Sequence, residues 1–530
     1  MASEFSKEVK SSCGIGGARE PLLDGIHGPE SYSASAAILP FLFPALGGLL
    51  YGYDIGATSC ATISIKSATL SGTSWYNLTS VEIGLITSGS LYGALIGSLL
   101  AFNVADILGR KRELILAASL YLVGAVITAL AIDLPVVVIG RFVYGMGIGL
   151  AMHAAPMYIS ETAPTQIRGQ LVSLKECFIV LGMIGGFGVG SILVDMVAGW
   201  RYMYGASTPL AVIMAIGMCW LPDSPRWLLL CAIQGKGNAQ DLREAAILCL
   251  HRLRGPAIGD SAPQQVDEVM AELYYVGEEK EVTMGEIFQG KCLKALVIGA
   301  GLVLFQQITG QPSVLYYAAS ILQSAGFSAA HDATRVSILL ALLKLIMTIS
   351  AVVVVDSLGR RPLLLGGVSG MVSPFPIYDC SLDLWEISET GKLSIVYILL
   401  CHSERTVCVT SLFLLGSYYL FLNNAFAVAI VGLLLYVGCY QISFGPIGWL
   451  MMSEVFPLRL RGRGLSIAIL VNFGTNALVT FAFSPLKALL GAGILFYIFG
   501  LIGLASLVFI YFVIPETKGL TLEEIEAKCL

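Results

Sequence analysis

Apolar residues along this chain come in long runs rather than in strict alternation or in narrow amphipathic stripes. Twelve runs reach or approach the ~20 residues that a helix needs to cross a bilayer. They lie at roughly 36–57, 82–104, 114–132, 134–158, 171–195, 202–221, 295–322, 335–355, 411–430, 432–452, 464–484 and 491–514. A polar, charge-rich stretch, 222–292, separates the sixth run from the seventh. Within it Leu242, Ala246, Cys249, Leu250 and Leu253 recur at helical spacing, as do Val266, Val269, Met270 and Leu273. Both sets predict short amphipathic helices on the membrane-facing underside of the protein. The expected class is an all-α membrane protein of twelve transmembrane helices. Its expected parts are a polar tail (1–35), a six-helix half (36–221), a loop (222–292), a second half (293–514) and a short tail (515–530).

Composition agrees with a lipid solvent. The 530 residues are 56% hydrophobic and 13% charged, against about a quarter charged in soluble domains, and mean hydropathy is +0.80. The 31 basic and 36 acidic residues are too few to cover the soluble domains that a chain of this length would form. A net charge of −5 argues against nucleic acid as a partner. Twelve cysteines sit singly, with no C-x-x-C pair, so neither a zinc site nor a disulfide framework is suggested. No metal or other cofactor is expected.

Loop charge sets the expected orientation. With the N-terminus in the cytosol, the short cytosolic loops carry Arg110, Lys111, Arg112, Arg168, Arg360, Arg361, Arg459, Arg461 and Arg463. The opposite loops carry only Lys66, Arg201, Arg335 and Lys487. Both termini should therefore be cytosolic. The sequon Asn77-Leu78-Thr79 then falls on the other side. Residues 1–35, with Glu4, Glu8, Glu20, Asp24 and Glu30, fit neither a secretory signal nor a transit peptide.

The two halves repeat. Asp106-Ile-Leu-Gly-Arg110-Lys111 after the second run matches Asp356-Ser-Leu-Gly-Arg360-Arg361 after the eighth. Glu161 with Arg168-Gly169 matches Glu454 with Arg461-Gly462, and Pro222-Asp-Ser224 matches Pro515-Glu-Thr517 at the same interval from its glutamate. Such two-fold repeats are how many secondary transporters are built, with substrate held at the midplane between the halves. One interval breaks the register: Asp356 to Glu454 is about 43 residues longer than Asp106 to Glu161. The excess falls at 373–410, which carries two prolines, His402 and charged residues from Asp379 to Arg405. Hydrocarbon does not accept so many unpaired charges, so this insert should lie outside the membrane. The ninth span is then expected from about Thr406 to Leu422, with 362–405 as a cytosolic loop. An unspliced intron or gene-model error is the favoured explanation of the insert, and a regulatory loop the other.

The paired D-x-L-G-R-[RK] loops resemble the sugar porter family of the major facilitator superfamily. So do Glu161-Thr-Ala-Pro-Thr-Gln-Ile-Arg-Gly169, Pro222-Asp-Ser-Pro-Arg226, Gln306-Gln-Ile-Thr-Gly310 and Pro515-Glu-Thr-Lys-Gly519. Two longer stretches, beginning at Phe41 and Gln306, resemble the plant vacuolar glucose transporter and D-xylose–proton symporter-like group. The resemblance implies monosaccharide transport of the glucose or xylose class, proton-coupled, by alternating access. Its expected membrane is the tonoplast, ahead of the plastid envelope or plasma membrane. A single chain is expected to suffice.

A sugar offers hydroxyls and apolar faces, so its site needs side-chain amides and flat aromatics. By analogy with the family, Gln306, Gln307, Trp449, Asn472 and Asn476 line the pocket. Gly445 and Pro446 are expected to break the tenth helix beside Trp449. Tyr316 and Tyr317 are neighbours that cannot both face the cavity, and Tyr317 is the expected lining residue. Ionisable groups at membrane depth are functional candidates by default, and four stand out: Asp54, Arg141, Glu176 and Lys344. Counting at 1.5 Å per residue places Asp54 about 27 Å from the cytosolic start of its run and Arg141 about 9 Å from the opposite edge. The two are level. In proton-coupled relatives an aspartate and an arginine at these positions form the protonation switch.

Glu176 stands where the family usually has glutamine, Lys344 where asparagine is frequent, and Pro312 where asparagine follows the Q-Q-x-x-G motif. Two arrangements are open for Glu176 and Lys344: pairing across the cavity, or donation from Lys344 to sugar hydroxyls. The family assigns Asp106, Arg110, Glu161 and Arg168, with Asp356, Arg360, Glu454 and Arg461, to an ion-pair network that latches the cytosolic side shut. Nothing resembles a metal triad, a nucleophile elbow or a phosphate loop, so the chain does not read as an enzyme. A membrane sugar sensor and an uncoupled carrier remain as the other readings.

Overall fold

The computed structural model describes residues 34–163, 168–254, 261–278, 290–325, 329–372, 411–421, 426–456, 461–518 and 525. All regular elements among them are helical. Five helices run up and down first: α1 (Ala34–Lys66), α2 (Ser80–Leu108), α3 (Arg110–Ala129), α4 (Leu134–Thr162) and α5 (Arg168–Leu193). The sixth apolar run is two pieces, α6 (Gly199–Gly205) and α7 (Thr208–Trp220). Three short helices follow: α8 (Pro225–Ile233), α9 (Ala239–Arg254) and α10 (Ala262–Glu278). The seventh run is broken into α11 (Gly290–Ile308), α12 (Gln311–Tyr316) and α13 (Ala318–Ser324). Then come α14 (Ala330–Leu358), α15 (Arg360–Val372), α16 (Ser411–Phe421), α17 (Phe426–Val455), α18 (Arg461–Leu490) and α19 (Ala492–Val513).

Ten stretches among the described helices are long and apolar enough to cross a membrane. Helix α1, with 33 residues, carries Asp54, Thr58, Ser59, Thr62 and Ser64 in its C-terminal half, and all five are buried. Protein, not lipid, surrounds them. The same residues explain why the apolar run ends at 57 while the helix continues to Lys66.

Close backbone approach holds α1 against α5. Gly52 and Gly56 on α1 face Gly182 and Gly186 on α5, each pair spaced by one turn as in small-residue helix contacts. A Cβ on Gly182 would fall on the Leu49 carbonyl and 2.8 Å from the Tyr53 nitrogen. Between the halves, α2 packs along α18, α5 along α14, and α1 against α12 and α13.

The ninth span differs from expectation. Helix α15 already contains its first part: Leu363, Leu364, Leu365, Val368 and Met371 are buried, so 362–372 is packed helix and not loop. The chain resumes in α16 at Ser411, whose Oγ donates to the Met371 carbonyl at 3.3 Å. Both α15 and α16 pack on α17. The two pieces thus abut end to end, although 38 residues of sequence, 373–410, separate them and lie outside the described residues. Of the span expected from Thr406 to Leu422, residues 411–421 are helical as α16, and 406–410 and 422 lie outside the described residues.

Two further expectations are corrected. Pro446 sits inside α17, which runs unbroken for 30 residues; membrane helices tolerate proline where neighbours satisfy the freed backbone groups. In the loop, the two expected helices are joined by a third, α8. Pro225 opens it, and the Ser224 side chain accepts from the Trp227 amide at 3.3 Å. The apolar faces of these helices bury Trp227, Leu229, Ala246, Val266 and Met270 against one another in a small separate core. Arg243 clasps Asp267 with two bonds of 2.8 Å, which raises its pKa further.

Two tests follow from this packing. Gly182→Leu should cost at least the ~1–3 kcal/mol of an overpacked core and lower the yield of monodisperse protein. Gly188→Ala, with nothing within 4 Å of the added carbon, should leave the thermal midpoint unchanged; equal loss in both would refute the close packing. Deleting 373–410 should join α15 to α16 and keep folding and transport. A deleted form that folds or transports worse than the full chain would make the insert an integral part of the protein.

Candidate functional site

Asp54 and Arg141, level by residue count, form a two-toothed ion pair between α1 and α4. Arg141 Nη1 meets Asp54 Oδ1 at 2.9 Å and Nη2 meets Oδ2 at 3.2 Å. Ser90 of α2 donates to Asp54 Oδ2 at 2.7 Å and accepts from Arg141 Nη2 at 2.9 Å. The guanidinium also donates to the Ile86 and Thr87 carbonyls and lies 5.1 Å from the centre of the Tyr204 ring. Relative exposure is 4% for Asp54 and 1% for Arg141. Such a pair is held by complete internal hydrogen bonding, and losing either charge strands the other.

A central cavity of about 90 Å³ lies beside this pair, tighter than the ~300–1,000 Å³ of open small-molecule sites. Gln306, Gln307, Trp449, Asn472, Asn476, Glu176 and Lys344 all line it, from α5, α11, α14, α17 and α18. Gln306 Nε2 donates to the Phe444 carbonyl at 2.8 Å, and Gln307 Nε2 to Asn472 Oδ1 at 2.7 Å. Asn476 Oδ1 accepts from Thr480 at 3.2 Å. These bonds leave other polar atoms of the lining residues unmatched. Gln306 Oε1, Gln307 Oε1, Gln311 Nε2 and the Tyr316 hydroxyl are buried without a hydrogen-bond partner. Orphaned buried polar groups are costly, and four around one cavity mark a place where a polar ligand is received.

Tyr317 is a correction. It stacks on Phe483 at 4.8 Å and lines a second, wider cavity of about 690 Å³ at the end of the bundle that carries Lys66 and Lys487. Its neighbour Tyr316 faces the central cavity instead. Gly310, at φ +90°, ends α11, and Tyr317 ends α12, so helical periodicity from Gln307 does not carry through to the tyrosines. The same break presents Gln311 to the cavity, which spacing from the Gln306-Gln307 pair does not indicate. Tyr51, Tyr440 and Gln441 complete the polar lining and also escaped notice.

Glu176 and Lys344 share the cavity, but among the described residues no ion pair joins them. Glu176 lies 3.7 Å from Lys175 Nζ, and Lys344 Nζ contacts Met183 Sδ at 3.9 Å. Lys175 in turn sits 5.5 Å from the centre of the Trp449 ring. A buried pair that the sequence did not single out, His153 with Glu113 at 3.0 Å, joins α4 to α3.

At the opposite end the repeat becomes geometry. Arg110 pairs with Glu161 at 3.2 Å, and Glu161 accepts from the Ser224 hydroxyl. Arg360 pairs with Glu454 at 3.0 Å, and Glu454 accepts from the Thr517 hydroxyl at 2.6 Å. Each hydroxyl stands 63 residues after its glutamate. Glu516 adds a cap on α15, accepting from the amides of Arg360 and Arg361. Both described ion pairs staple helices within one half; they do not cross between halves. The side chains of Asp106, Arg168, Asp356 and Arg461 lie outside the described residues.

A family model described as "Sugar (and other) transporter" matches residues 41–528. The chain belongs to this family. It is 69% identical over 529 residues to "D-xylose-proton symporter-like 2" of Arabidopsis thaliana, covering 100% of this chain and 98% of that one. It is 58% identical to "D-xylose-proton symporter-like 3, chloroplastic" of the same plant, covering 95% and 84%. The partially occluded, inward-open xylose transporter XylE of E. coli shares the fold at TM-score 0.71 and 25% identity, over 92% of this chain and 100% of its own. A XylE structure bound to 6-bromo-6-deoxy-D-glucose matches at TM-score 0.70 and 28% identity, over 94% of this chain and 100% of its own.

For this sugar transporter family member, the orphaned atoms predict which substitutions weaken ligand binding. Gln307→Ala and Tyr316→Phe should each lower sugar affinity roughly 5- to 150-fold, the equivalent of ~1–3 kcal/mol. Tyr317→Phe should change it far less. Equal effects of the two tyrosine substitutions, measured by binding calorimetry, would contradict this lining.

Proposed function

We propose that the protein is a secondary active transporter that couples proton movement to a monosaccharide of the glucose or xylose class. Transport would proceed by alternating access between two six-helix halves. The observation that carries this reading is the division of polar groups around the central cavity. Amides and a phenol face the cavity with bonding capacity left over, which suits sugar hydroxyls. Beside them stands an ion pair whose contacts are all internal, which suits a switch rather than a ligand site. The proton and the xylose in the relatives' names point the same way.

Helix α1 connects the two. Tyr51 lines the cavity, and Asp54 follows about one turn later. Further along, Ser59 Oγ accepts from the Ala319 amide of α13, in the other half, at 3.1 Å. Protonating Asp54 cancels one charge of the pair and leaves Arg141 with Ser90 and two backbone carbonyls. Helix α1 then moves more easily against α4, and its contacts with the cavity and with α13 move with it. A ligand that binds one arrangement better shifts the balance by that difference in affinity. An uncoupled carrier has no use for such a buried pair, and a sensor has no need to release α1.

In this reading α15 and α16 together make the ninth of twelve spans, and both termini are cytosolic, as the excess of loop arginines supports. The resemblance to vacuolar glucose transporters supports the tonoplast; the relative named as chloroplastic supports the plastid envelope as the second reading. The test is Asp54→Asn in vesicles. Accumulation of sugar driven by a pH gradient should be abolished, while exchange of labelled for unlabelled sugar persists. A variant that still concentrates sugar would show that Asp54 does not couple.

A further inference from the structure

The central cavity carries more charge than neutral hydroxyls require. Lys344 is 8% exposed, and the contact described for its ammonium is the Met183 thioether at 3.9 Å, a weak acceptor. The carboxylate that shares the cavity, Glu176, lies 3.7 Å from a second cation, Lys175, and its charge also reaches Lys344, so one carboxylate serves two ammonium groups. Asp54 and Arg141 neutralise one another within their own pair. Two ammonium groups and one carboxylate thus remain in and around the cavity wall, an excess of one positive charge. A buried ammonium at membrane depth is unfavourable without an anionic partner. Around it, the unpartnered Gln306, Gln307 and Gln311 atoms are the uncharged donors and acceptors that a sugar ring uses.

We propose that the cavity takes a sugar acid, a hexuronate, whose carboxylate lies against Lys344 while its hydroxyls take the amides. The inference rests on the sugar-site reading above and narrows its substrate class. It has an electrical consequence. One proton carried with a uronate anion moves no net charge, whereas one proton carried with a neutral sugar moves one positive charge.

The test uses the full-length protein in proteoliposomes, with D-glucuronate, its uncharged methyl ester, and D-xylose. Glucuronate should exchange with higher affinity than its methyl ester and should give no transport current, while xylose gives one. Lys344→Gln should lower the ratio of glucuronate to xylose affinity at least about tenfold, and Lys344→Arg should preserve it. Should Lys344→Gln fold poorly, thermal stabilisation of the unmodified protein by glucuronate over its methyl ester reads the same preference. Xylose exchange without glucuronate exchange, equal binding of acid and ester, or an unchanged ratio in Lys344→Gln overturns the proposal. If neither sugar exchanges, the sugar-transport reading falls, and this proposal with it.

Discussion

Hydrocarbon does not solvate charge, and the Asp54–Arg141 pair is where this chain meets that constraint most directly. Neither group is exposed to more than a few per cent, so each is the other's solvent. Everything around them serves that requirement. Ser90 bridges the two, backbone carbonyls of α2 take the remaining guanidinium hydrogens, and Tyr204 covers the outer face. Three helices, α1, α2 and α4, are thereby tied at one depth. A pair so fully satisfied in one state has little to gain from small movements, so changing its charge is an effective way to change the packing. That is the property a coupling device needs.

The second constraint is the repeat. Each half binds a glutamate between an arginine and a hydroxyl at the same spacing, and each does so within its own helices. Stapled this way, each half is stiff at that end. The contacts between halves are different in kind: long helix pairs, and the short broken pieces α12 and α13 lying against α1. The broken seventh span separates the two cavities, with Tyr316 on one side and Tyr317 on the other. Stiff halves and a segmented partition favour movement between halves over deformation within them.

Much of this was legible in the sequence, for physical reasons that differ from residue to residue. The apolar runs located the helices because lipid imposes length and hydropathy together. Asp54 and Arg141 announced themselves because charge in such a run is rare, and counting rise per residue brought them level. Gln306, Gln307, Asn472 and Asn476 were placed in the pocket by the family resemblance rather than by the pattern alone, and the structure gathers all four at one cavity. What failed was inference across helix breaks. Tyr316 and Gln311 were misjudged or missed because Gly310 resets the helical phase. Helix α17 was expected to break and did not, since neighbouring helices tolerate Pro446. The end of α1 was cut short because buried serines and threonines look polar to a hydropathy count. The ninth span was misplaced because its halves are neighbours in space, joined at Met371 and Ser411, while distant in sequence.

The central claim is that proton and sugar move together through the Asp54–Arg141 switch. The direct measurement is the pH of a weakly buffered medium around proteoliposomes holding the unmodified protein, with no imposed gradient, when D-glucose or D-xylose is added. Sugar entry should draw protons in with it and make the medium more alkaline, and a protonophore should abolish the shift. Sugar entry with no change in external pH would contradict the account.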